Sequence, residues 1–268
     1  MNWAALDVSI LGPALLAGAI VLSTHVPLGR QVLKRGIIFI DLAVAQTAGL
    51  GVIAANTFGW EIHGPAAQLA AFAAALGGAL ILTWTDARYS KVQEALIGML
   101  FVLAATGGIL LLANNPRGGE ELRDLLIGQI LWVDWHTLWP AAIVSAVVLG
   151  VLMSGYQQRF GRIGFYMLFA LSVTVSVQLV GIFLVFSSLI VPALATRSIT
   201  RRPLAVGYTV GFLGYLIGLV CSAQFDLPTG AVIVWALACT ALVAARILPS
   251  PWRERQPDSL AGNVSEPS

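Results

Sequence analysis

The sequence predicts an all-α membrane protein, a polytopic bundle of about eight transmembrane helices plus one short re-entrant helix. Three observations carry this. The 268 residues are 58% hydrophobic and 10% charged, against about 25% charged in a soluble domain. Six uncharged runs, 8–29, 62–85, 95–116, 135–158, 203–225 and 227–245, and a seventh, 36–60, interrupted only by Asp41, each match the about 20 residues of one crossing. Finally, the thirty-four residues 163–196 carry no charge, which is too long for one crossing and too short for two.

Taken in order, the first run (8–29) is not a typical secretion signal. Met1 to Val8 contains Asp7 and no Lys or Arg, whereas such signals open with a basic region. The second to fifth runs are ordinary spans, and the 27 glycines of the chain suit close helix packing in lipid. Between the fourth and fifth spans, 114–134 is the longest connection. Leu122, Leu125, Leu126, Gln129, Ile130 and Leu131 recur there at helical spacing behind Glu120, Glu121 and Asp124. That pattern predicts an amphipathic helix lying at the membrane surface, with Trp132, Trp135 and Trp139 at the interface. The run 163–196 reads as a spanning helix followed by a shortened return segment containing Pro192. Broken helices are tolerated only where backbone is buried in protein or lines a cavity, which points to transport. Two further spans end the membrane domain, 1–248, and a Pro- and Ser-rich tail, 249–268, reads as disordered. Cys221 and Cys239 fall in separate spans, without CxxC spacing, and read as buried structural thiols.

Basic residues orient the bundle, since Lys and Arg favour the cytoplasmic side. With the N-terminus outside and the short segment returning the chain inward, 13 of the 15 basic residues lie inside, leaving Arg117 and Arg123 outside. Without the return, 197–202 moves outside and the last two spans invert. The N-terminus is therefore expected outside and the C-terminus in the cytoplasm. A formal charge of +2 gives no reason to expect a nucleic-acid partner; the partner read directly from composition is the lipid bilayer.

Asp41 is the only acid inside a span, and an intramembrane acid marks a functional site by default. Gln46, Thr47 and Asn56 add polar atoms to the same helix. The bland alternative pairs Asp41 with Arg35 near the interface. His63, beside Glu61, and His136 lie towards the outer surface, where they either form an entry site or are polar boundary residues. His25 has an open role, while Glu94 and Gln178 are further candidates, Gln178 most simply as a helix–helix hydrogen bonder. There is no Ser/His/Asp arrangement, HExxH motif or phosphate-binding glycine loop, so no enzymatic activity is expected.

Several segments resemble permease subunits of bacterial ABC importers for zinc, manganese or iron. THVPLGRQVLKRG (24–36) is similar to the family's Pro-Leu-Gly segment with paired basic residues, and QEALIGMLF (93–101) to the opening of its fourth helix. DLLIGQILWV (124–133), VQLVGIFLVFSSLIVPALATR (177–197) and FDLPTGAVIV (225–234) resemble three later motifs. The matches run in order from about residue 12 to 245. The resemblance implies a homodimeric pore in the bacterial inner membrane. It would carry a divalent metal, zinc or manganese first, as substrate, with no permanent cofactor. The implied partners are a cytoplasmic ATP-binding cassette subunit, which hydrolyses the nucleotide, and an extracytoplasmic metal-binding protein. Asp41, Gln46, Thr47, His63 and Glu61 become candidates for the metal pathway. Gln158, Arg159, Gly161 and Arg162, within 154–164, become candidates for ATPase coupling, with 197–203 alongside. One departure stands out. The family's Gly-Asp-x-x-x-His on the second helix aligns its His with Ala45 here, or with Gln46 after a one-residue slide. The competing expectation, a secondary transporter driven by an ion gradient, needs deep titratable residues, and the spans offer almost none besides Asp41.

Overall fold

A computed structural model describes residues 8–61, 64–155 and 161–247, which form helices and turns. Ten α-helices follow one another among the described residues. They are α1 (Val8–Arg35), α2 (Ile40–Thr57), α3 (Pro65–Arg88), α4 (Gln93–Leu112), α5 (Gly118–Ile127), α6 (Trp135–Met153), α7 (Gly161–Val180), α8 (Ile182–Ala195), α9 (Pro203–Phe225) and α10 (Thr229–Ile247). Seven of them, α1, α3, α4, α6, α7, α9 and α10, are long and apolar enough to cross a membrane. The eighth expected crossing, α2, has 18 residues and stays outside that set because Asp41, Gln46 and Asn56 dilute its apolar content.

One end of the bundle gathers the basic residues. Arg162 opens α7 and pairs at 3.1 Å with Asp86 at the end of α3. Arg35, ending α1, lies 4.1 Å over the Phe165 ring. Gln93, opening α4, donates to the Tyr166 hydroxyl at 3.1 Å, and Arg30 donates to the carbonyl of Thr196, just beyond α8, at 3.3 Å. From there α9 runs back antiparallel to α1, with Gly207 on Val26, Gly211 on Leu22 and Tyr215 on Gly18. In turn α10 returns along α9, with Leu237 on Gly214 and Ile233 on Gly218. Small residues bring these backbones close, the usual means of helix association in lipid. Phe165, Tyr166, Phe169 and Tyr215 fill the interior and are fully buried.

The long uncharged run divides as its length requires. α7 has 20 residues and α8 has 14, so α8 rises about 21 Å, short of a hydrocarbon core of about 30 Å. Pro192 sits inside α8, and the break itself is Gly181, at φ 81° and ψ 164°. Gly128, closing α5, has a matching φ of 72° and ψ of 171°. This backbone region is essentially restricted to glycine. The two glycines also touch backbone to backbone, so a Cβ on either would fall on the other's chain.

Two expectations are corrected here. α5 does not lie flat at the surface: Glu121 accepts from the Asn56 side chain at 3.2 and 3.3 Å, and one turn on, Leu125 packs on Gly49, two turns down α2. Its apolar face finds helix α2, and its end meets the α7–α8 break, so it enters the bundle. Cys239 is exposed and Cys221 half-buried; α10 turns the Cys239 side outward.

Candidate translocation pathway

Among the described residues the one buried acid is Asp41, in the first turn of α2. It is completely buried, and neither carboxylate oxygen has a hydrogen-bond partner. The neighbouring contacts fix which way it points. Thr47 and Gly51 turn to α3, packing on Gly78 and on Ala70 and Ala74, whereas Leu50 and Ile53 turn to α4 at Gly107 and Gly108. Gly49 and Asn56 turn to α5. At 100° per residue, Asp41 occupies the remaining side, towards α7 and α8, both of which pack on α2. Arg35 is engaged with Phe165, so the interfacial Asp41–Arg35 pair is not formed. An enclosed carboxyl group without a partner is costly, which makes Asp41 a candidate functional residue of the bundle.

The other expected residues separate. Gln46, 8% exposed, lies about 140° around the helix from Asp41, on the side that packs against α4. The Thr47 hydroxyl donates to the Ala43 carbonyl at 2.6 Å, and its methyl meets Gly78. Glu61 is exposed beyond the far end of α2, whose last residue, Thr57, lies about 24 Å along the axis from Asp41. His63 lies outside the described residues, as do Gln158 and Arg159. Of the coupling set, Gly161 starts α7 with φ 59°, and Arg162 holds Asp86. Among the described residues no three His, Cys, Asp or Glu side chains converge as a metal cage.

Sequence reasoning underused several polar groups. His25 is fully buried; its Nδ1 lies 2.9 Å from the Val21 carbonyl, which only accepts, so Nδ1 carries the proton. Its Nε2 then has a free lone pair and no partner. Beside it the Ser172 hydroxyl donates to Thr24 Oγ1 at 2.8 Å, tying α7 to α1. At the basic end Glu94 accepts from the Phe39 backbone N–H at 3.1 Å, which joins the starts of α2 and α4. Gln178, expected to bond a neighbouring helix, is exposed on an otherwise largely buried α7. The available signal was polarity within apolar runs, which identifies such residues without saying which neighbours they meet.

Seven helices long and apolar enough to cross a membrane surround a buried acid, with one long apolar run broken and a second short helix meeting the break. A profile of the ABC 3 transport family matches residues 7–160 and 152–247. The chain belongs to that family and is a permease component of an ABC transporter. It is 25% identical over 262 residues to the manganese transport system membrane protein MntC of Listeria monocytogenes, covering 90% of this chain and 91% of the other. The high-affinity zinc uptake system membrane protein ZnuB of Haemophilus influenzae is 24% identical over 246 residues, with 84% and 92% covered. In fold the chain superimposes on the solved PsaBC from Streptococcus pneumoniae in complex with Fab with a TM-score of 0.76. That match has 20% identity and covers 94% of this chain and 97% of that one.

Proposed function

We propose that this chain forms the membrane pathway of an importer for a divalent metal ion, manganese or zinc. The observation that carries the proposal is Asp41, an enclosed carboxylate with both oxygens free in a chain of the ABC 3 transport family. Relatives named for manganese and for zinc transport support the substrate class. The imidazole expected one turn beyond Asp41 is replaced by Ala45, so the donors on α2 are oxygens, which suits a harder ion such as manganese better than zinc. Two copies enclose the pathway, a separate cytoplasmic subunit hydrolyses ATP, and an extracytoplasmic protein delivers the metal, with Glu61 and His63 near its entry. Gln46, turned to α4, and Thr47, packed on Gly78 of α3, stay outside the ion's coordination sphere.

The N-terminus lies outside and the C-terminus in the cytoplasm of a bacterial inner membrane, with 1–248 as the permease domain and 249–268 following it. The gathering of basic residues at one end supports this orientation. Gln158, Arg159, Gly161 and Arg162 then face the ATPase, and Arg162 transmits its movement to α3 through Asp86. The test is Asp41→Asn: uptake of manganese or zinc by reconstituted vesicles is abolished while the permease still co-purifies with its ATPase. Uptake at the wild-type rate removes Asp41 from the pathway.

A further inference from the structure

A groove of about 800 Å3 runs between α9 and α10. Its walls are mostly apolar, with Ala205, Val210 and Ile217 on α9 facing Val243 and Ile247 on α10. At its mouth stand Arg201 and Arg202, both exposed; no ion pair or side-chain hydrogen bond engages either among the described residues. Residues 196–247 contain one acid, Asp226, which caps the opposite end of α9. The first turn of α9, which also opens at this mouth, has no side-chain cap and adds partial positive charge.

The dimensions are those of one leaflet. From Ala205 to Ile217, α9 rises about 18 Å, against about 15 Å for half of the hydrocarbon core. A groove of that depth, apolar inside and doubly cationic at the interface, matches a phospholipid with a negatively charged head group. A second copy of this chain fits poorly. A two-fold contact brings the same patch against itself, and Arg201, Arg202 and Arg246 would meet their own images, with Asp226 at the opposite end of α9 the one acid among the described residues 196–247. A cytoplasmic partner reaches the arginines without entering the hydrocarbon.

We propose that the α9–α10 groove is a binding site for an anionic phospholipid. One acyl chain lies between the helices, and the head group is held by Arg201 and Arg202. The orientation proposed above enters only in naming the leaflet, the cytoplasmic one, and the test does not depend on it.

The purified full-length chain is equilibrated with equal amounts of phosphatidylglycerol and phosphatidylcholine in detergent, washed, and the retained lipid measured by mass spectrometry. Phosphatidylglycerol is retained in preference. The double variant Arg201→Gln, Arg202→Gln loses on the order of tenfold of that preference, as expected for two basic groups at an anionic head group. Thr209→Trp, which fills the groove, lowers retention of both lipids. Should the glutamine variant fail to fold, the Lys pair, which keeps the charge, preserves the preference, and Thr209→Trp still lowers retention of both lipids. No preference in the wild type, or an unchanged preference in the glutamine variant, overturns the proposal. So does release of the ATPase by the glutamine variant with lipid retention unaltered. Cys239 lines the groove and supplies one further check: in a Cys221→Ser background, oxidative cross-linking of Cys239 between copies would show a second copy there instead.

Discussion

A carboxylate held in the interior of a membrane bundle without a hydrogen-bond partner is rare enough to need a reason, and Asp41 is such a group. It was legible from the sequence because a single acid in an apolar run has no competitor. Its neighbour Thr47 was equally visible, yet its role depends on which side of α2 meets Gly78, and residue type alone does not encode that. The missing imidazole at Ala45 was readable too, whereas the free Nε2 of His25 depends on the tautomer set by Val21. Outside the membrane, Asp134 illustrates a different balance. Its carboxylate accepts from the Thr137 hydroxyl at 2.6 Å and from the Thr137 N–H at 2.9 Å, capping α6. Those bonds, the hydroxyl first, hold its pKa below the usual carboxylate value. A depressed folded-state value means the stabilisation is complete above the ordinary carboxylate pKa of about 3.9 and fades as pH falls through the lower folded value. Asp134→Ala should therefore lower the melting temperature at pH 7 and in full down to about pH 5, with the deficit closing in strong acid. A deficit of constant size down to pH 2 would assign the effect to something other than the ionised cap.

At the scale of elements, the broken crossing was foreseeable from length, since thirty-four uncharged residues fit neither one span nor two. The place of the break was not. Pro192 lies inside the return segment, as its sequence suggested, and continues α8; the chain turns at Gly181, where a second backbone, that of Gly128, occupies the space a side chain would take. The descent of α5 escaped notice for a related reason. An amphipathic pattern states that one face is buried and leaves open whether lipid head groups or another helix bury it. Here Asn56 and Gly49 of α2 receive it. Gly181→Ala should destabilise the protein by at least about 1–3 kcal/mol from backbone strain alone, with the contact to Gly128 adding to that, as read by thermal unfolding in detergent. Gly77→Ala, in α3 with open space around its Cβ position, is the control and should change stability by less than about 1 kcal/mol in either direction. Equal effects of the two substitutions would remove the junction from its structural role.

For the molecule as a whole, one regularity ties topology to function: the ends of α1, α3, α8 and α10 and the starts of α2, α4, α7 and α9 share one face, rich in Arg and Lys. Charge counting found this arrangement from the sequence because the bias is collective and survives errors at single helices. A cysteine placed at Ser198, in the turn after α8, should be labelled by a membrane-impermeant reagent only after the cytoplasmic face is opened. Labelling of intact cells would invert the orientation and with it the face offered to an ATPase. The most direct measurement is manganese or zinc uptake by proteoliposomes holding this chain with its nucleotide-hydrolysing subunit and metal-binding protein, with and without ATP. Uptake is expected only when all the components and ATP are present. Equal uptake by this chain alone would contradict the proposed role of a passive pathway driven by another subunit.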